Sequence, residues 1–335
     1  MTVRILLATL VLAVGCGDEV IGYAISDTES TVDSEGSEGS GVGDSGAGSS
    51  DGTGGSDGTG GVDDALPDWV AIGFLETIAV SFDDGRNWSV VPEPAIEGEQ
   101  SREGLARGPD RIVIVGGGTT LVSTDGMNWD VYGDALGYAR DVAYGNGRFV
   151  SVGLGRRAHS TDAVGWVDAR NGESEFDFIA ITFGDGRFVA VGSDVLGTSV
   201  DGETWEMTEL TGPKLYSVAY GNGRFVAVGE EGRVLVTSDG MNIDSDSMQD
   251  TFFDGVCFFE GEFVAYGGFV ARTSTDAVEW REFAVEPAHA LGCGPSTIVG
   301  IQDDQLNRGD ELLSMEPVQS LGVPLHTTRY TGAIE

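Results

Sequence analysis

The stretch Leu215 to Ile243, LYSVAYGNGRFVAVGEEGRVLVTSDGMNI, constrains this chain more than any other, because most of its features return along the sequence. YGNGRFVSVG (144–153) and FGDGRFVAVG (183–192) precede it, and RIVIVGG (111–117) and EFVAYGG (262–268) are looser copies. The spacing is about 38 residues, within the range in which each repeat is one small unit that buries its apolar face only by stacking on its neighbours.

The unit reads as strands. SVAY (217–220) is a first strand, Gly221-Asn222-Gly223 a hairpin turn, and RFVAVG (224–229) a second strand. Glu230-Glu231-Gly232 turns into RVLVTS (233–238), and a further turn leads to a fourth strand starting near Ile243. Glycine is abundant and helical periodicity is absent, so the pattern is all-β. Four antiparallel strands per unit is the size of one propeller blade. The Ser or Thr that opens the last turn falls at 81, 123, 160, 199, 237 and 274. A worn seventh unit follows, with Cys293 to Ile301 aligned on YGNGRFVAV and Ser314 placed 40 residues after Ser274. The span 67–335 is therefore expected to be a seven-bladed β-propeller of four-stranded antiparallel blades. Its first unit begins with what is already a second strand, WVAIGF (69–74), so its sheet lacks an inner strand. An unpaired edge is a liability, and TTRYTGAI (327–334), left over after the seventh unit, is expected to fill it.

The turn before the fourth strand repeats best: Ser81 to Trp88, Ser123 to Trp129, Ser160 to Trp166, Ser199 to Trp205, Thr237 to Ile243 and Ser274 to Trp280. It resembles the Asp-box, or bacterial neuraminidase repeat, Ser-x-Asp-x-Gly-x-Thr-Trp. The first copy keeps that spacing with Asn87 in the Thr place; the other five are one residue shorter. Asp83, Asp125, Asp162, Asp201, Asp239 and Asp276 are expected to accept backbone N–H bonds inside their own turns, and the Trp to cover the turn. Six-fold repetition marks these residues as fold elements, and the resemblance implies a place on the outer rim, away from the central funnel. Where Ala163 and Ala277 replace the Gly after the Asp, the turn is expected to avoid a left-handed residue. Arg148, Arg187 and Arg224, which open three successive second strands, carry the same caution against a catalytic reading.

The resemblance implies one enzyme class, a sialidase-like glycoside hydrolase. That chemistry needs an arginine cluster, a Tyr nucleophile with a Glu partner, and an Asp acid/base. The Phe/Tyr-Arg-Ile-Pro segment that usually carries the first arginine is absent, and no residue is assigned as catalytic. There is no GxSxG, phosphate loop or HExxH. Two groups depart from the repeat. Arg156, Arg157 and His159 form the densest basic spot, read as a second-to-third-strand loop that borders the funnel and binds a ligand, or else as a solvated loop with ion pairs. Asp244, Asp246, Asp250 and Asp254 suggest Ca²⁺ but lack the EF-hand Gly and closing Glu, so no metal or cofactor is expected.

The start, MTVRILLATLVLAVGCGD, has the layout of a secretory signal (1–15), its apolar run being too short to span a bilayer. Leu12-Ala13-Val14-Gly15-Cys16 resembles a bacterial lipoprotein box, which implies a lipid anchor on Cys16; an ordinary signal with an incidental cysteine is the alternative. Residues 16–66 are rich in Gly, Ser, Thr and Asp and bury almost nothing, so they are expected to form a disordered tether reaching roughly 40 Å. Residues 17–68 hold thirteen acidic and no basic residues, and 69–335 hold 42 acidic against 17 basic. Such a charge argues against nucleic acid, and against attraction to an anionic membrane surface. The expected membrane contact is the lipid alone, the expected partner a protein or glycan, and the expected state a monomer at the periplasmic or outer-membrane surface. An accessory or assembly factor for a membrane complex is a further alternative to the binding or scaffolding module.

With Cys16 lipidated, Cys257 and Cys293 remain as an even pair in an oxidising compartment, where pairing is expected, two buried free thiols being the alternative. In the unit alignment they match Ala219 and Tyr220, in the first strands of neighbouring blades. A one-residue offset reverses the face of a regular strand, so a local register change near Pro295 would be needed to let them meet.

Overall fold

The computed structural model describes residues 66–73, 77–92, 94, 101–133, 137–170, 176–267, 270–284, 290–302, 304–311, 315–322 and 325–330. The expected signal, Cys16 and all but the last residue of the expected tether lie outside them. The described residues form seven four-stranded sheets, every strand pair antiparallel. Blade 5 shows the plan. Leu215–Gly221 is its inner strand, followed outward by Arg224–Gly229, Arg233–Thr237 and Ser245–Met248. The other inner strands are Gly104–Arg107 (blade 2), Ala139–Gly145 (3), Phe178–Gly184 (4), Gly255–Phe259 (6) and Ala290–Cys293 (7).

Blade 1 takes its inner strand from the far end of the sequence. Leu325–Tyr330 pairs with Trp69–Gly73, Trp69 opposite Tyr330 and Ala71 opposite Thr328. The ring is thus closed by hydrogen bonding between residues more than two hundred positions apart, and the sheet edge that the sequence left open is covered.

The core is a set of layers between blades rather than a single centre. In blade 5, Val218, Phe225, Ala227 and Leu235 pack against blade 4, whereas Ala219, Val226, Val228 and Val234 pack against blade 6. Alternation along each strand thus sends side chains to opposite neighbours, which is why the strands read as continuous apolar runs. One contact recurs along the axis. Phe183, Tyr220 and Phe258, near the ends of successive inner strands, lie where a Cβ would stand on Gly145, Gly184 and Gly221 of the preceding blade. Each ring also pairs within its own blade, Tyr220 with Phe225 at 4.8 Å between centroids and Phe183 with Phe188 at 4.8 Å. A glycine in one blade is therefore the socket for an aromatic ring of the next.

Among the described residues, no helix is long and apolar enough to cross a membrane.

Candidate functional site

The repeated turn shows what the fold reserves for itself. In blade 2, Asp125 Oδ1 accepts from the backbone N–H of Met127 (2.8 Å) and Asn128 (2.7 Å). The Ser123 hydroxyl donates to Asp125 (3.1 Å) and accepts from Gly126 N–H (2.8 Å), and the Trp129 indole donates to the Gly126 carbonyl (3.0 Å). Asp83, Asp162, Asp201, Asp239 and Asp276 accept in the same way from Asn87, Gly165, Thr204, Asn242 and Glu279. The Asn242 amide, then the backbone N–H groups of Asn242 and Met241, hold the Asp239 carboxyl far below the usual carboxylate range. At Asp162 and Asp276 the backbone N–H bonds act first.

Ala163 and Ala277 correct the expectation for their turns, since both adopt the left-handed conformation, at φ 61° and 59°. Their methyl groups account for it. Ala163 is fully buried and Ala277 nearly so, each inside an inter-blade layer, and each carbonyl accepts the indole N–H of Trp166 or Trp280. Burial and the turn's own bonds outweigh a backbone strain of about 1–2 kcal/mol.

The strand-opening arginines fasten blades together. Arg111, Arg187 and Arg224 each donate at 2.7 Å to the backbone carbonyl of the turn aspartate in the next blade, Asp162, Asp239 and Asp276. Arg148 reaches Glu203 of the next blade at 2.5 Å. Between blades 7 and 1, Arg308 and Thr297 converge on the Asp84 carboxylate, both at 2.7 Å.

The basic spot is not a loop. Arg156, Arg157 and His159 lie on the strand Arg156–Ser160, whose alternation turns Arg156 away from the other two. Arg156 is exposed and 3.7 Å from Asp168, Arg157 is buried, and His159 sits beside Arg148 and Glu203. None of the three lines the central channel. The acidic run disperses as well, Asp246 pairing with Arg233 (2.7 Å) and Asp250 with Arg272 (2.5 Å). Among the described residues, no group of three or more His, Cys, Asp or Glu side chains is arranged to hold a metal ion.

Cys257 and Cys293 are joined in a disulfide between the inner strands of blades 6 and 7. The register change expected near Pro295 is not there: Ala290–Cys293 pairs with Ile298–Ile301 without a shift. At this seam Glu262 stands where blades 2 to 5 carry the fastening arginine.

The inner strands enclose an axial channel of about 1120 Å³. Near its mouth, at the end opposite the Asp turns, the inner strands bulge. Register shifts skip His326, Arg140, Ile179 and Tyr216 in the Cα register of blades 1, 3, 4 and 5. Glu103 and Asp254 hold the same place in blades 2 and 6, each with its N–H on the adjoining strand (2.9 and 2.8 Å). All six line the channel. Bulges are common next to functional sites because they re-aim a side chain. By sequence position the counterpart in the seventh unit is His289, which lies outside the described residues.

Just inside the ring, fold duty resumes. Asp141 bridges to the next blade by accepting Ile181 N–H at 3.0 Å, and Ser217 does so by accepting Val256 N–H at 3.2 Å. In the ring itself, the Arg140 side chain makes neither a hydrogen bond nor an ion pair with a described residue. Burial holds His326 below its ordinary pKa, against the pull of the Glu103 carboxylate. Burial, then a 2.6 Å bond to Glu230, pushes the Tyr216 hydroxyl up, so it stays protonated. Arg107 also lines the channel, but donates to the Pro67 carbonyl (3.3 Å).

The ring escaped sequence reading because it lies one residue outside the recognisable strand. Its signal is the variability of that one place: Arg140, Ile179, Tyr216 and Asp254 stand two residues before Val142, Ile181, Val218 and Val256.

No protein-family model matches the chain, and no curated protein matches it by sequence. Solved structures do resemble it. A streptogramin B lyase aligns with a TM-score of 0.60 at 11% identity, over 70% of this chain and 89% of that one. Virginiamycin B lyase from Staphylococcus aureus gives 0.56 at 12%, over 71% and 92%. YCF48 bound to a D1 peptide gives 0.52 at 17%, over 71% and 84%. At such identities the likeness shows the fold alone, and that fold is a seven-bladed β-propeller.

Proposed function

We propose that the chain is an envelope lipoprotein, anchored through Cys16, whose acidic tether presents a propeller of the Asp-box kind as a binding or scaffolding module. The ligand site is the channel mouth. One observation carries this reading. One position at the start of the inner strand holds six different side chains, His326, Glu103, Arg140, Ile179, Tyr216 and Asp254, and all of them border one cavity. Repeated positions serve the blades, and the position freed from blade duty is the one available for recognition. The self-contained hydrogen bonds of the Asp turns support their assignment to the Asp-box pattern. No second reading is favoured by a specific observation.

Site-specific photo-crosslinking in intact envelopes tests the proposal. A photoreactive residue at 140, 179 or 254 should yield adducts, while one at the exposed turn residues Val164 or Val278 should not. Adducts confined to the turn positions would overturn it.

A further inference from the structure

The ring is chemically lopsided. On its blade 5–6 side, Tyr216 lies 5.8 Å, centroid to centroid, from Phe252, and Phe252 is 44% exposed although it belongs to no strand. Asp254, two residues further on, is exposed at the mouth. Glu230 reaches the same corner from the turn between the second and third strands of blade 5, bonding the Tyr216 hydroxyl with Oε1 and accepting Lys214 N–H with Oε2 (3.0 Å). Tyr266 lines the channel next to them. Tyr216 and Asp254 line the channel, Phe252 and Glu230 adjoin Tyr216, and Lys214 tempers the charge of Glu230 alone, so that Tyr216, Phe252 and Asp254 form a surface suited to one class of charge. Aromatic faces attract cations through their quadrupole, and carboxylates add charge without demanding a hydrogen-bond donor. Anions meet the opposite field here. The protein's excess of 55 acidic over 18 basic residues draws cations toward the mouth.

We infer that the Tyr216–Phe252–Asp254–Glu230 corner of the channel mouth binds an alkylated ammonium ion, the cationic head of a small amine or of an amine-bearing polymer. The inference rests on the mouth being the ligand site. The Tyr216 hydroxyl is engaged by Glu230, which fixes the ring and leaves its face as the contacting surface. The ammonium carbon substituents meet Tyr216 and Phe252, and its charge meets Asp254. Arg140, in blade 3, is two blades from Tyr216 and three from Asp254 around the ring.

Calorimetric titration of the full chain with choline and with its neutral isostere 3,3-dimethylbutan-1-ol, at fixed salt, is the test. Choline should bind saturably at one site and at least roughly tenfold tighter than the isostere. Asp254→Asn and Tyr216→Leu should each weaken choline by roughly tenfold, whereas Tyr216→Phe, which keeps the ring, should change it by less than about threefold. Thermal melts of each variant establish that it is folded. Equal binding of the two probes, no binding of choline, or folded Asp254→Asn and Tyr216→Leu variants with unchanged affinity would overturn the inference. Mouth crosslinks at 140 and 179 together with a failed choline titration would leave the mouth as the site and remove only the ammonium assignment. Choline binding without mouth crosslinks would do the reverse.

Discussion

Cys257 and Cys293 stand one residue out of step in the blade alignment, yet their Cα atoms lie 5.9 Å apart. The offset is the reason they meet. A strand shows one face to the blade before it and the other to the blade after it, as Val218 and Ala219 do in blade 5. A residue of blade 6 that looks forward and a residue of blade 7 that looks back must therefore belong to opposite parities of the repeat. Replacing both by serine should cost about 3–4 kcal/mol, the entropy of releasing a loop whose ends are 36 residues apart. Denaturant melts of wild type with and without reductant, beside the double variant, check this; a reductant-insensitive wild type would count against it.

Gly184→Ala should destabilise the propeller by about 1–3 kcal/mol, because the new methyl falls within the ring of Tyr220. Gly133→Ala, where an added Cβ meets nothing within 4 Å, should stay within about 0.5 kcal/mol of wild type. Urea denaturation of the two variants side by side gives the comparison.

Deleting residues 325–335 should lower the melting temperature far more than trimming ten residues from the segment 17–58. The first truncation strips the inner strand from blade 1 and bares Trp69–Gly73, while the second touches no described residue. Equal midpoints would speak against closure by this strand.

Acid should unfasten the turns. The carboxyl groups of Asp162, Asp239 and Asp276 are held below their ordinary range in the folded state. Their stabilisation is therefore fully present above the unfolded carboxylate value of about 3.9 and is lost as pH falls through the lower folded values. Stability should hold down to about pH 4 and fall beneath it. Asp239→Asn should be less stable than wild type at pH 7, with the gap narrowing below pH 4 in urea melts; a gap independent of pH would contradict the linkage.

Cys16→Ser should release the protein from membranes, or block its maturation, in a bacterium that processes lipoproteins. Fractionation with immunoblotting reads the result, and equal membrane partitioning of the two forms would remove the anchor.

Much of the architecture was legible because the blade writes its rules locally. Asn222-Gly223 specifies a hairpin, Ser123 to Trp129 specifies a closed turn, and their spacing counts the blades. What stayed hidden depends on relations between blades. Arg157 reads as a basic loop residue until the strand carries it under cover, with its guanidinium near the Arg170 carbonyl. Arg140 reads as an ordinary residue before a strand until a bulge lifts it out of the ladder. Local pattern encodes the turn; the facing of one sheet on another is encoded only in the assembled ring.

Ring closure by Leu325–Tyr330 has a consequence for the order of events during synthesis. Blades 2 to 7 are each made from continuous stretches of chain and gain their four strands as soon as those stretches are available. Blade 1 has its first strand early and its last partner only when nearly the whole chain has been made. Through that interval Trp69–Gly73 offers an open template to any passing strand, the hazard that nascent chains meet when a pairing spans long sequence distances. A cell that makes this protein must keep that strand unoccupied until the far end arrives, and a ribosome that stops short leaves a product with an exposed edge, suited to wrong pairings and to proteolysis.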